Sequence, residues 1–217
     1  MKIVIFANGA LSNLDQVPAL IRSYDILIAA DGGARHCQAA KTFPHIVIGD
    51  FDSLTPAELD ELQAHGAQII RYPSRKDFTD LELALEYACE QGADQILILG
   101  GLGQRWDQTL ANILLLAGPA SRRARISLMD GNQEITLIGE LQTLEILGKP
   151  GDTVSLIPIR GNAEGITTHG LEYLLSGDTL HFGAARGVSN VLIGNSATVH
   201  LEHGLLICIV IHKEDPA

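Results

Sequence analysis

Asp50 and Asp52 stand two residues apart at the end of a short apolar run, Ile46-Val47-Ile48-Gly49. In an extended backbone, side chains two apart project to the same side, so both carboxylates are expected in one small space. Like charges that close repel unless a cation lies between them, and a hard oxygen-seeking ion such as magnesium resolves the repulsion. A turn in which aspartate caps its own backbone accounts for the same residues, and the pair by itself does not choose between the two.

Other segments carry related chemistry. Asp31-Gly32-Gly33 couples an acid to glycines that would let backbone approach a ligand and leave helix amides open to an anion. Lys76-Asp77-Phe78-Thr79-Asp80 puts two acids three apart in the expected first turn of a helix, beside a cation. Gly100-Gly101-Leu102-Gly103-Gln104-Arg105-Trp106-Asp107 is a glycine-rich stretch ending in a cation and a carboxylate. Each has a plainer reading. Asp77 or Asp80 can simply complement a helix dipole, Asp107 can open its own helix, and the glycine run matches no nucleotide fingerprint. Their coincidence carries more weight. Carboxylates that hold magnesium, beside amides and cations that hold phosphate, are the requirements of phosphoryl transfer from a nucleotide.

The elements that must position these residues follow from apolar periodicity. Strands are expected at residues 3–6, 25–30, 45–48, 68–71 and 95–99, and helices at 15–22, 33–40, 77–90 and 107–117. A further helix is expected with Thr55 as N-cap and Pro56 at its first position. This alternation predicts an α/β domain with a mostly parallel sheet and helices on both faces, whose ligands collect at the carboxyl ends of the strands. Near Gly118-Pro119 the pattern changes to short β runs separated by turn residues, which predicts a C-terminal antiparallel β-sandwich or barrel. The expected boundary gives domains 1–125 and 126–217.

Bulk composition removes several classes. The chain has 217 residues, long enough for two domains with cores of their own, and a formal net charge of −11. That charge argues against a nucleic-acid partner and offers no polybasic patch for an anionic membrane. Three widely spaced cysteines (Cys37, Cys89, Cys208) suggest no disulfide framework. The first apolar run reaches Asn8-Gly9 too soon for a signal peptide, and no run is long enough for a membrane helix, so a cytoplasmic location is expected.

The motifs DGGA at 31–34, IGDFDSL at 48–54, KDFTDLELAL at 76–85, GGLGQRWDQTLANILLL at 100–116 and GVSN at 187–190 with the tail GLLICIV at 204–210 resemble, in order and spacing, those of thiamine pyrophosphokinases. The resemblance implies transfer of a diphosphate from ATP to the hydroxyethyl oxygen of thiamine with release of AMP. It also implies magnesium, and a homodimer whose sites lie between the α/β domain of one subunit and the β domain of the other. Carried onto this sequence, it makes Asp50, Asp52 and Asp80 the metal and diphosphate carboxylates, and Lys76 and Arg105 phosphate contacts. Asp31, Gly32, Gly33, Gly101, Arg105 and Asp107 fall to the nucleotide, and Asp107, Ser189 and Asn190 to thiamine. The family often has asparagine after DGGA, where this chain has Arg35, which is expected to alter a nucleotide contact or add a phosphate-facing charge. The alternatives are a pyrophosphokinase for a pterin alcohol or another nucleotide, a metal-dependent phosphohydrolase, and a catalytically silent nucleotide-binding regulator.

Overall fold

The computed structural model describes residues 1–75 and 77–213. The chain forms two compact units, Met1–Gly131 and Asn132–Ala217.

The first unit alternates strand and helix. Its elements are β1 (Lys2–Phe6), α1 (Val17–Leu20), β2 (Ile26–Ala30), α2 (Ala34–Ala39), β3 (Ile46–Gly49) and α3 (Pro56–Ala64). They continue with β4 (Gln68–Arg71), α4 (Asp80–Glu90), β5 (Gln95–Leu99), α5 (Trp106–Leu115) and β6 (Arg125–Asp130). The strands lie in the order β6-β5-β1-β2-β3-β4, all parallel. β1 and β3 are apolar along their whole buried length because the sheet is covered on both faces. On one face Phe6, Ala29, Val47 and Leu99 pack against Val17, Cys37 and Leu62. α4, with Leu81, Ala84, Leu85 and Ala88 buried, lies against β1, β2 and β3. The strand order reverses direction at β1, with β2 on one side and β5 on the other, the place where an open α/β sheet forms a crevice.

Helix starts follow their caps. Thr55 accepts from the Glu58 amide while Glu58 returns to the Thr55 amide, a reciprocal capping box with Pro56 at the first helical position. Thr79 and Glu82 form the same device, so α4 begins at Asp80 and Asp77 lies outside it. The expected helix over 77–90 is therefore three residues shorter, because Thr79 satisfies the first amides itself.

The second unit holds β7 (Gln133–Ile138), β8 (Gln142–Leu147), β9 (Thr153–Pro158), β10 (Ala163–His169), β11 (Asp178–Leu180), β12 (Asn190–Val191), β13 (Ser196–Leu201) and β14 (Leu206–Ile211). One antiparallel group runs β12-β9-β14-β7 and the other β11-β10-β13-β8. Inward residues of both groups, including Ile138, Val154, Val199 and Cys208, share one core. The boundary lies one strand later than expected. Arg125–Asp130 pairs in parallel with β5, from Gln95↔Arg125 to Leu99↔Met129, and so belongs to the α/β unit. All three cysteines are buried and free, and burial pushes the Cys208 thiol up to about 12. No helix among the described residues is long and apolar enough to cross a membrane.

Candidate active site

A cleft of about 720 Å³ opens at the carboxyl ends of the parallel strands. Its walls come from Asn8–Ala10 after β1, Asp31 after β2, Asp52 and Ser53 after β3, Thr79 and Asp80 at the start of α4, and Gly101–Arg105 with Gln108 and Asn112 of α5.

The acids meet here. Asp31, Asp50 and Asp52 each offer a carboxylate oxygen, and the three oxygens lie within 4.8 Å of one another. Asp80 borders the same space, since a Cβ on Gly49 would lie 3.3 Å from its Oδ1 and 3.0 Å from the Asp31 Cβ. Asp31 is 5% exposed, and its Oδ1 is buried with no hydrogen-bond partner among the described residues. A buried carboxylate oxygen without a partner is costly, and a cation among these three carboxylates would remove the cost. The donor set is all oxygen, which suits magnesium or calcium rather than a soft metal.

The two-residue spacing works through a different geometry from the one expected. The strand stops at Gly49, and Phe51 takes a left-handed backbone, φ 65°, with its ring buried. The Asp52 amide then donates to Asp50 Oδ1 at 3.2 Å. A turn, not an extended strand, carries both acids, and Asp31 is itself left-handed at φ 47°. Such strain in residues other than glycine persists where surrounding structure fixes it, and it concentrates at functional sites.

The glycine loop is laced to the loop after β1. Gly9 N donates to the Gly100 carbonyl and Ala10 N to the Leu102 carbonyl, both at 2.7 Å. His36 Nε2 donates to the Gly9 carbonyl at 2.7 Å. From α5, Asn112 Nδ2 reaches the Gly101 carbonyl at 2.7 Å, while the Thr109 hydroxyl accepts from the Gly103 amide at 3.1 Å. Arg105 pairs with Asp107 through two hydrogen bonds, of 3.2 and 2.5 Å, in an exposed position. The Arg105 side chain, by its hydrogen bond above all, holds the Asp107 carboxyl below its ordinary range.

Among the described residues, Asp31, Asp52, Asp80, Gly101 and Arg105 line the cleft, and Asp50 joins it through the carboxylate group. Gly32 and Gly33 do not line it. A Cβ on Gly32 would strike the Asn8 side chain, and one on Gly33 would strike the Phe6 carbonyl. Their smallness serves close packing on β1 instead of ligand approach. Lys76 lies outside the described residues. Arg35 is engaged by its own chain. Its Nε donates to Glu58 Oε1 and its Nη2 to the Ser53 carbonyl, each at 2.6 Å. Sequence reasoning passed over Asn8, Ser53, Thr109 and Asn112. Asn8, a polar residue directly after an apolar strand, carried the same signal as the aspartates.

The β unit presents Ser189 and Asn190 differently. Ser189 is exposed and left-handed, φ 63°, with its amide donating to Ser155 Oγ at 3.1 Å. Asn190 is engaged by its own chain. Its Oδ1 accepts from the Tyr173 and Val191 amides, and its Nδ2 donates to the Tyr173 carbonyl at 2.7 Å. Tyr173 and Val188 beside it are exposed.

Comparison with known proteins agrees with this geometry. The family model for the thiamin pyrophosphokinase catalytic domain matches residues 17–128, and the one for the thiamin pyrophosphokinase vitamin B1 binding domain matches residues 141–206. The chain belongs to the thiamin pyrophosphokinase family. Thiamine pyrophosphokinase of Bacillus subtilis is 30% identical over 94% of this chain and 96% of its own. Thiamine pyrophosphokinase 2 of Arabidopsis thaliana is 29% identical over 90% and 82%. The crystal structure of the Bacillus subtilis enzyme superposes with a TM-score of 0.88 at 28% identity, covering 99% of this chain and 100% of the other. That of thiamin pyrophosphokinase from Geobacillus thermodenitrificans gives 0.83 at 27%, covering 99% of each chain. The family's catalytic match spans the acid-bearing strand ends from Asp31 to Asp107, and its vitamin-binding match spans Ser189 and Asn190.

Proposed function

We infer that this chain transfers a diphosphate from ATP to the hydroxyethyl oxygen of thiamine, giving thiamine diphosphate and AMP. The observation that carries the residue assignment is the convergence of Asp31, Asp50 and Asp52 in the switch-point cleft, with a buried Asp31 oxygen left without a partner among the described residues.

The reaction needs positioning and charge neutralisation more than covalent help from the protein. Asp31, Asp50 and Asp52, with Asp80 beside them, would hold magnesium. When bound, magnesium supplies charge neutralisation for the phosphate oxygens and fixes the diphosphate in place. Asp50, Asp52, Asp80, Lys76 and Arg105 are the proposed catalytic set. Arg105 would exchange the exposed Asp107 carboxylate for the phosphate chain, and an exposed ion pair gives way readily to a better anion. The first turn of α5, reached through Arg105 and Gln108 on the cleft wall, adds its dipole to the same region. Lys76 is proposed as a second phosphate contact on the sequence resemblance alone.

Gly101 and the loop it belongs to would form the nucleotide floor, fixed by Asn112 and Thr109. The acidic cleft suits thiamine, itself a cation. Ser189, exposed on its strained turn, would meet the aminopyrimidine end, with Asn190 holding the turn in shape. The resemblance further supports a homodimer as the working form.

Incubation with ATP, magnesium and thiamine, followed by identification of both products, tests the reading. Thiamine diphosphate with AMP is expected. ADP with thiamine monophosphate would mean a simple kinase, and phosphate released without thiamine would mean a hydrolase.

A further inference from the structure

The loop bearing Asp50 and Asp52 is gripped by its backbone from two sides. Arg71 Nη1 donates to the Asp50 carbonyl at 3.0 Å, and its guanidinium lies 4.8 Å from the centre of the Phe51 ring. At the other end, Arg35 Nη2 donates to the Ser53 carbonyl at 2.6 Å. The same guanidinium binds both oxygens of Glu58, at 2.6 and 3.1 Å, and Glu58 is already fixed by the Thr55 amide and hydroxyl at the start of α3. Between these grips sits the left-handed Phe51. Ser53 in turn reaches the acids, its hydroxyl donating to Asp52 Oδ1 at 3.2 Å and accepting from Asn8 Nδ2 at 3.4 Å.

A left-handed non-glycine residue holds its shape only when its neighbours over-determine it. Arginine suits the task because its planar fork makes several directed bonds at once, which the single ammonium of lysine cannot.

We propose that Arg35 and Arg71 are positioning residues that clamp the Asp50–Ser53 turn by its carbonyls, so that Asp50 and Asp52 stand ready beside Asp31 to bind the divalent cation; this rests on the metal reading above. Arg35 sets the Ser53 end through the chain Glu58–Arg35–Ser53–Asp52, and Arg71 sets the Asp50 end.

The test measures Mn²⁺ binding to the full chain by electron paramagnetic resonance, together with the Mg²⁺ dependence of turnover and the melting temperature. Arg35→Met is expected to weaken Mn²⁺ binding about tenfold and to raise the half-saturating Mg²⁺ by a similar factor, as loss of a ligand-orienting partner does. KM for thiamine should stay within about twofold, and Arg35→Lys should recover part of the loss. Arg71→Met should act in the same direction. Mn²⁺ affinity at the wild-type level in both methionine variants would overturn the clamp while leaving the metal reading intact. So would a loss shared equally by thiamine and Mg²⁺ that simply follows the melting temperature. Wild-type Mn²⁺ binding untouched by Asp50→Asn would remove the metal reading itself, and the clamp with it.

Discussion

The cleft of the α/β unit and the turn at Ser189-Asn190 of the β unit treat their polar groups in opposite ways. In the cleft, oxygens of three carboxylates crowd within 4.8 Å, and one buried oxygen of Asp31 has no partner among the described residues. In the β unit, every polar atom of the Asn190 amide is bonded to the chain's own backbone. Behind it the buried Asp152 carboxylate accepts from the Lys149 and Lys213 amides at 3.0 and 2.9 Å and from His212 Nδ1 at 2.8 Å. Asp152 also carries the turn, for its carbonyl accepts from the Leu192 amide at 2.9 Å. Among the described residues, the first region keeps a buried carboxylate oxygen unbonded. The second is complete and offers a fixed shape. On the function proposed above, chemistry belongs to the first region, because preorganised charge aimed at a ligand lowers barriers, whereas a satisfied scaffold can only present a surface.

The sharpest way to break this contrast is Asp50→Asn. Turnover should fall at least about a hundredfold with the melting temperature held or raised, since removing one of three crowded charges relieves repulsion. Turnover near wild type would take Asp50 out of the site. Asp152→Asn should do the reverse. Its new amide group would face donors, at a cost of about 1–3 kcal/mol, seen as a melting temperature lower by several degrees, with a raised KM for thiamine and little change at saturation. An unchanged melting temperature would mean the β unit is not organised by this carboxylate. Ser189→Ala should be milder, raising KM for thiamine by roughly three- to tenfold without touching KM for ATP, as loss of one hydrogen bond does. Equal effects on both substrates would place Ser189 outside the acceptor site.

The smallest effect is a pH dependence. Glu58 is held at about 2 instead of 4.5, first by its hydrogen bond from Arg35 and then by those from Thr55. A carboxyl depressed in the folded state adds stability above its unfolded pKa and loses it as pH falls through the folded one. The melting temperature should therefore decline from about pH 5 toward about pH 2, and Glu58→Gln should flatten that decline. An identical slope in the variant would show that the Arg35–Glu58 pair does not contribute. Burial alone would push the Asp152 carboxyl up, but the Lys213, Lys149 and His212 hydrogen bonds outweigh it and leave it below its ordinary value. It contributes to the same acid loss with the same sign.

Much of this was legible in the sequence. Apolar runs gave the parallel strands, and Thr55 followed by Pro56 marked the start of α3, whereas the start of α4 was expected at Asp77 and lies at Asp80. The rule that ligands gather at strand ends put Asp31, Asp50, Asp52, Lys76, Asp77, Asp80, Arg105 and Asp107 at one edge of the sheet, without saying which of them meet. Some roles were not legible, because they depend on what packs where. Gly32 and Gly33 looked like ligand glycines, and their neighbours are Asn8 in the loop after β1 and Phe6 at the end of β1. Arg35 was expected to alter a nucleotide contact or add a phosphate-facing charge, and it reaches Ser53 and Glu58, 18 and 23 residues away.

By itself the sequence determined the element types, the two-unit plan, the acids at the strand ends and the family, because periodicity, capping and motif order are local properties of a chain. Tertiary structure alone decided that Asp31 joins Asp50 and Asp52, that a left-handed Phe51 turns the two acids inward, and that arginines hold that turn by its carbonyls. Those are contacts between distant residues, fixed by packing and hydrogen-bond satisfaction in three dimensions, and no spacing along the chain encodes them.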